Sequence, residues 1–289
     1  MNFVLIAGPT ASGKSRLALE IARQRGGIIV NADSLQVYCE LRILTARPSL
    51  DDESAVPHHL YGHVPAATRY SVGQWLGDVA GIIAEARETG VTVVVVGGTG
   101  LYFKALIEGL VTTPPLPQEV RERVLREAEG RSAADLHAEL AMVDPEDAAA
   151  VRPTDRARII RALEVFEATG RSLVGWRQRP ATPVVDPAET ERMVLEVDRA
   201  ELHRRIAARA ERMIGEGALE ETQAFGTLGL AADVSAMKAI GLRELLDHLA
   251  GRSSLEEALA GLKTETRRYA KRQETWFRNQ MADWPRIPG

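Results

Sequence analysis

The segment Gly8-Pro9-Thr10-Ala11-Ser12-Gly13-Lys14-Ser15 reads G-x-x-x-x-G-K-S and constrains this chain more than any other eight residues in it. An apolar run of strand length, Phe3-Val4-Leu5-Ile6-Ala7, precedes it. A helical pattern over Arg16–Ala22 follows, with Leu17 and Ile21 on one face. In that order the three pieces form a P-loop. Gly8 and Gly13 let the backbone curl so that its N–H groups point inward at a phosphate, and the helix N-terminus adds partial positive charge. Lys14 reaches the phosphates as a point charge, and the Ser15 hydroxyl is placed to ligate Mg²⁺. Such a chain binds a di- or triphosphate group; the loop alone does not say which.

Around this seed the first third alternates strand and helix. Ile28-Ile29-Val30 predicts a second strand that runs into Asn31-Ala32-Asp33-Ser34. Ser71 as N-cap and Gly90 as stop predict a helix over 71–89. Val91-Thr92-Val93-Val94-Val95-Val96 is almost wholly apolar, the pattern of a central parallel strand covered on both faces, and it ends in Gly97-Gly98-Thr99-Gly100. These elements predict the α/β class: a P-loop, doubly wound parallel sheet with ligands at the carboxyl ends of its strands. The proline cluster from Thr112 to Pro117 breaks that rhythm. Helical patterns follow over 118–129, 132–141 and 154–169, with no strand among them, then a polar stretch over 177–191. Met193-Val194-Leu195-Glu196-Val197 reads as a strand again, so the helical block is an insertion between strands of one sheet. Residues 199–280 read as helical, and Asp283–Gly289 as a ragged tail. The expected division is 1–113 for the first part of the core, 114–190 for the helical insertion, and 191–289 for the rest of the core with a helical C-terminal region.

Composition narrows the class. Hydrophobic residues at 45% and charged residues at 26% are ordinary for a soluble globular protein. No stretch approaches the ~20 apolar residues of a membrane span. The chain enters its first strand at once, which leaves no room for a signal peptide. A single cysteine, Cys39, excludes an intramolecular disulfide and a cysteine zinc site. A cytoplasmic location fits all of this. The net charge of −4 does not advertise nucleic-acid binding, yet arginines cluster at Arg152/Arg156/Arg158/Arg161, at Arg204/Arg205/Arg209/Arg212 and at Arg267/Arg268/Arg272/Arg278 with Lys271. Arginine forks suit phosphate oxygens, although charge clusters on helices are also ordinary solvated faces.

Further candidates for chemistry sit at strand ends. Asp33, after the second strand, suits a general base or a carboxylate holding Mg²⁺ through water; it equally suits a turn cap. Gly97-Gly98-Thr99-Gly100 allows close backbone approach and offers the Thr99 hydroxyl. His58 and His59 are adjacent, and no carboxylate or cysteine partner for a metal is evident. Tyr269, Trp176, Trp276 and Phe277 suit base stacking or a core.

Taken together in order, the motifs identify a resemblance that covers nearly the whole chain. The P-loop is followed by Asp33-Ser34-Leu35-Gln36-Val37-Tyr38, Thr45-Ala46-Arg47-Pro48, Val56-Pro57-His58-His59-Leu60 and Val96-Gly97-Gly98-Thr99-Gly100-Leu101-Tyr102. Then come Arg158-Ile159-Ile160-Arg161-Ala162-Leu163-Glu164, Ile240-Gly241-Leu242-Arg243-Glu244-Leu245 and the segment Arg268–Arg278. The chain resembles the bacterial tRNA dimethylallyltransferases, also called tRNA isopentenyltransferases. The resemblance implies transfer of a dimethylallyl group from its diphosphate to N6 of the adenine just 3′ of the anticodon, in tRNAs reading codons that begin with U. It implies that Gly8–Ser15 hold a diphosphate leaving group, with Mg²⁺ at Ser15. Asp33 becomes the general base, while Thr10 and Arg209 stabilise the departing diphosphate. Contact with the anticodon stem-loop falls to Asp33, Ser34, Leu35, Gln36, Thr99 and Arg121, and to Ala157, Arg158, Ile159, Ile160 and Arg161. It falls also to the segment from Asp233 to Lys238, and to Thr266, Arg267, Arg268, Lys271, Arg272 and Gln273. The helical insertion would clamp the stem, and the enzyme is expected to work as a monomer away from membranes.

Two segments depart from the family pattern. A glycine, and an Asp-Ile-Gly before Thr45, are usual in the family; here the chain reads Glu40-Leu41-Arg42-Ile43-Leu44. Tyr61-Gly62-His63 lacks the usual acidic residue. Two other readings share the P-loop: a small-molecule kinase, with Asp33 deprotonating a hydroxyl, and an NTP-driven switch that binds RNA without modifying it. The basic C-terminal helix argues against the kinase, which has no need of it.

Overall fold

The computed structural model describes residues 2–111, 113–114, 116–178 and 181–289. They fall into two compact units, Met1–Ile107 with Pro183–Gly289, and Glu108–Thr182.

The first unit is built on one six-stranded sheet. Its strands are β1 (Phe3–Ala7), β2 (Ile28–Asn31), β3 (His58–His59), β4 (Val93–Gly97), β5 (Thr190–Glu196) and β6 (Arg286–Pro288), in the order β3-β2-β4-β1-β5-β6. Every pairing is parallel. Helices α1 (Lys14–Arg25), α2 (Leu50–Ala55), α3 (Val72–Thr89) and α4 (Gly100–Glu108) belong to its first half. The second unit holds α5 (Gln118–Ala128), α6 (Ala133–Val143), α7 (Pro145–Ala150), α8 (Arg156–Thr169) and α9 (Leu173–Arg177). Helices α10 (Arg199–Gly215), α11 (Ala218–Gly226), α12 (Leu242–Leu249) and α13 (Leu255–Gln280) complete the first unit.

The central strands are apolar throughout because both faces are covered. Leu5, Ala7, Val93 and Val95 face Trp75, Val79 and Ile83 of α3 and Phe103 of α4. Val4, Ile6, Val94 and Val96 face Ala18 and Ala22 of α1. Full burial of such a side chain is worth roughly 1.5–3 kcal/mol, so the alternation along β1 and β4 secures both layers. The predicted start and stop of α3 appear as a capping box between Ser71 and Gln74 and a left-handed Gly90 at φ 70°.

In the helical unit, Leu136, Leu140, Val124, Ile159 and Ala162 form the core among α5, α6 and α8. Two short helices escape the sequence pattern. Asp144 caps α7, and the buried Asp147 carboxylate accepts from Leu173 N at 2.6 Å and Val174 N at 2.9 Å, which docks the start of α9.

The expected ragged tail is a correction. Arg286–Pro288 adds β6 to β5, with Val194 opposite Arg286. Before it, Trp284 is buried and meets Phe103 edge to face at 5.7 Å. Three residues carry no readable period, and Pro288 is tolerated because the strand lies at the sheet edge.

Candidate active site

The order of strands reverses beside β1, so the loops after β1, β4 and β2 converge at their carboxyl ends. Gly13 at the start of α1 has φ 92°, and Ala11 also takes a positive φ, 64°, unusual for a residue with a Cβ. These two left-handed residues hold the loop in its curl. Lys14 Nζ donates to Pro9 O at 3.2 Å, folding back on its own loop. Ser15 is exposed at the mouth, where Ala11, Gly13, Arg205, Arg209 and Arg212 line a cleft with it. The three arginines stand at i, i+4 and i+7 on α10, one helical face. Arg205 donates to Ser12 O at 3.4 Å and pairs with Glu201 at 2.6 Å. Arg212 belongs to the arginine cluster legible in the sequence, where Arg209 alone carried an expected role; the i, i+4, i+7 spacing is what puts all three on one face.

Asp33 is fixed by its neighbours. Buried Asn31 accepts from Asp33 N at 2.8 Å and donates to Asp33 O and Leu60 O, both at 2.9 Å. Trp75 Nε1 donates to Asn31 O at 2.8 Å, and Asp33 Oδ1 accepts from Leu35 N at 3.0 Å. One carboxylate oxygen thus stabilises the turn, the capping role that the sequence offered for this residue.

The glycine turn after β4 is dictated by close approach. A Cβ on Gly97 would lie 2.1 Å from Ala32 O, and one on Gly100 would lie 2.0 Å from the Trp276 ring. Gly98 makes room for Gln273, whose Nε2 donates to Gly98 O at 3.0 Å while its Oε1 accepts from Thr10 N at 2.8 Å. Thr99 Oγ1 accepts from Ser34 N at 3.0 Å, tying this turn to the loop carrying Asp33.

Thr10, Asp33 and Arg209 share one pocket with the apolar side chains of Leu35, Leu44, Ile206, Met213, Ile240 and Leu262. Burial lowers the Lys14 ammonium to about 8; Asp33 opposes the shift and Arg209 adds to it. Burial likewise pulls Arg209 down to about 10, again opposed by Asp33. Tyr61, Tyr102 and Tyr269 are all pushed upward, first by burial and then by the negative charge of Asp33. Protonated phenols therefore surround a site in which one carboxylate faces two cations.

Other residues expected to meet RNA lie in several settings. Gln36 spends its amide on Thr45 O and Ala46 O at 2.8 and 3.0 Å. Thr266 is buried in the pocket wall and donates to Leu262 O. Lys238, Lys271 and Arg272 are exposed, the last over the Tyr269 ring. Arg268 pairs with Glu265, and Asp233 with Arg69. Arg267 is half-buried, its Nε enclosed with no partner. In the helical unit, Ala157 and Arg158 are exposed, Ile160 is half-buried and Ile159 is fully buried in the core. Arg121 and Arg161 flank the buried Glu164 carboxylate at 3.5 and 3.2 Å. Of the aromatic candidates, Phe277 and Trp176 pack inward, half-buried Trp276 packs against Gly100, and half-buried Tyr269 lines the pocket. His58 Nδ1 hydrogen-bonds Val56 O at 2.7 Å. Among the described residues, no cluster of His, Cys, Asp or Glu could hold a metal by itself, and no helix is long and apolar enough to cross a membrane.

A parallel sheet with a glycine loop of P-loop pattern at its switch point, and three arginines lining the cleft beside that loop, defines the chain as a P-loop α/β protein. The family model described as IPP transferase matches residues 36–280, and one described as isopentenyl transferase matches residues 1–56. The chain belongs to the IPP transferase family. It is 53% identical over 283 residues to a tRNA dimethylallyltransferase of Azorhizobium caulinodans, covering 98% of this chain and 91% of the relative. It is 50% identical to one of Agrobacterium fabrum, covering 98% and 96%. Among solved structures it is similar to the full-length tRNA isopentenylpyrophosphate transferase of Bacillus halodurans (33% identity, TM-score 0.71, 99% of this chain and 89% of that one). It is also similar to a eukaryotic dimethylallyltransferase acting on tRNA (26% identity, TM-score 0.85, 100% and 74%).

Proposed function

We propose that this protein transfers the dimethylallyl group of dimethylallyl diphosphate to N6 of the adenosine immediately 3′ of the anticodon, in tRNAs that read codons beginning with U. The observation that carries the reading is the shared pocket: the Asp33 carboxylate, Arg209 and an apolar wall line one cleft, and the buried Lys14 ammonium lies close enough to feel both charges. An exocyclic amine is a weak nucleophile, and an allylic carbon becomes cation-like as its diphosphate departs. The reaction therefore needs a base at the amine and concentrated positive charge at the leaving group. The bond from allylic carbon to diphosphate oxygen breaks, the bond from N6 to that carbon forms, and the N6 proton passes to Asp33. Thr10, Lys14 and Arg209 hold the leaving diphosphate, with Arg205 and Arg212 adding positive charge at the mouth. The apolar wall holds the prenyl chain and keeps water from the cation-like carbon.

A divalent metal fits this cleft in one way. Ser15 offers an exposed hydroxyl at the mouth, an oxygen donor of the kind Mg²⁺ takes, and is the residue that would hold the ion. A divalent ion held at Ser15 would supply further charge neutralisation to the diphosphate. The target adenine is stacked in its loop and must be turned out to reach Asp33. The names of the relatives support tRNA as the acceptor. The arginines of the helical unit and the exposed basic face of α13 suit its phosphates, with the helical unit (114–190 as read from the sequence) clamping the stem. A monomeric cytoplasmic enzyme completes the reading.

The test is incubation with undermodified tRNA, Mg²⁺ and dimethylallyl diphosphate, followed by mass analysis of nucleosides. A prenyl increment on adenosine is expected. Phosphate transfer or hydrolysis from ATP in its absence would sink the proposal.

A further inference from the structure

The segment Glu40–Leu44, which departs from the family pattern, has no regular secondary structure, yet it forms part of the pocket wall. One side chain organises it. The Glu221 carboxylate, on α11, accepts three consecutive backbone donors: Arg42 N and Ile43 N on Oε2, both at 2.7 Å, and Leu44 N on Oε1 at 2.9 Å. Successive N–H groups turned to one side make a concave anion site, and here the chain supplies its own anion. The clamp holds a demanding conformation. Two residues beyond Leu44, Ala46 sits in the left-handed region at φ 54°, a position that persists only when its surroundings fix it.

The clamp has a target. Leu44 is buried and lines the pocket together with Asp33, Thr10 and Arg209. Where the usual glycine of the family has no side chain, Leu44 places four carbons against the apolar wall. Charge-assisted hydrogen bonds to a fixed carboxylate are the strong ones, so the wall is rigid and does not yield to a longer occupant.

We propose that Glu221 is a positioning residue for the donor pocket, and that in this chain Leu44, held by it, bars donors longer than five carbons, a task that falls to other groups in relatives with glycine there. The inference rests on the proposed prenyl transfer. Glu221→Gln keeps the size of the side chain but turns one acceptor oxygen into an amino group facing N–H donors, so at least one of them loses its partner. Leu44→Ala leaves the clamp intact and opens the wall.

Both variants and the wild type are assayed on one tRNA with dimethylallyl diphosphate and with the ten-carbon geranyl diphosphate. For Leu44→Ala, the preference for the five-carbon donor is expected to fall at least about tenfold, since each methylene in an apolar pocket carries discrimination of that order. For Glu221→Gln, KM for dimethylallyl diphosphate is expected to rise about tenfold, the scale of one charge-assisted hydrogen bond, while KM for tRNA stays within about twofold. An unmoved donor preference in Leu44→Ala, or a Glu221→Gln defect confined to tRNA, overturns the inference. Should Glu221→Gln fail to fold, Leu44→Ala decides alone. A wild type that transfers no prenyl group overturns the reading beneath the inference and the inference with it; an active wild type with unmoved variants overturns the inference only.

Discussion

Gln273 and Gly98 fit together as a latch. The Gln273 amide donates to Gly98 O, and the same amide accepts from Thr10 N, so one side chain of α13 pins the P-loop to the turn after β4. A Cβ on Gly98 would stand 2.1 Å from Gln273 Nε2, which leaves glycine as the residue that admits the latch. Gly98→Ala should therefore lower diphosphate affinity about tenfold or more, because Thr10 N–H is left without its partner, at a cost of ~1–3 kcal/mol. Gln273→Glu should also weaken the donor, by adding negative charge beside the loop. Donor titration by calorimetry checks both; wild-type affinity in either variant would show that the latch does not shape the loop.

Asp33→Asn keeps the turn-forming Oδ1 and removes the proposed base. Prenyl transfer should fall by about 10²- to 10⁴-fold, the usual contribution of a general base, with donor binding retained. Single-turnover transfer alongside a binding assay separates the two. Equal losses in both would point to a structural Asp33.

The pH dependence of donor binding follows from Lys14. In the folded protein its ammonium sits at about 8 against 10.5 for an ordinary lysine, chiefly through burial. A lowered lysine penalises the folded state while it must stay charged, below about pH 8, and the penalty fades as pH rises toward 10.5. Binding carries the opposite sign, because diphosphate needs the ammonium. Affinity should fall as pH rises through about 8, and binding at that pH should take up about half a proton from the buffer. Calorimetry in two buffers of different ionisation enthalpy measures the uptake. Identical heats in both would refute the assignment.

Trp284→Ala tests the edge strand. The ring is 3% exposed, packs on Phe103 and lies 5.8 Å beneath the Arg192 guanidinium. Its removal should cost about 3–5 kcal/mol by cavity formation. Urea unfolding measures this; a loss under about 1 kcal/mol would mean that β6 contributes little.

Much of this molecule is legible in the order of residues because its main elements are built from local signals. The P-loop, the wholly apolar β4 and the capped α3 each carry their own pattern within a dozen or so residues. The residues that were not legible act across long separations or at short range with no period. Glu221 binds the loop at 42–44 from 177 to 179 positions away, and nothing near it in the chain announces that partner. Three-residue β6 and six-residue α7 are too short to show a period. Glycines 97, 98 and 100 announce close backbone approach in the sequence, but the neighbours that require each, Ala32, Gln273 and Trp276, come from elsewhere in the fold.

The latch from Gln273 spans 263 positions of chain. A nascent chain that has emerged only through β4 already contains the whole P-loop motif, yet the glutamine that pins Thr10 is not yet made. Competence to grip the donor therefore arrives late in synthesis, when α13 docks, and fragments ending before it carry the motif without the latch.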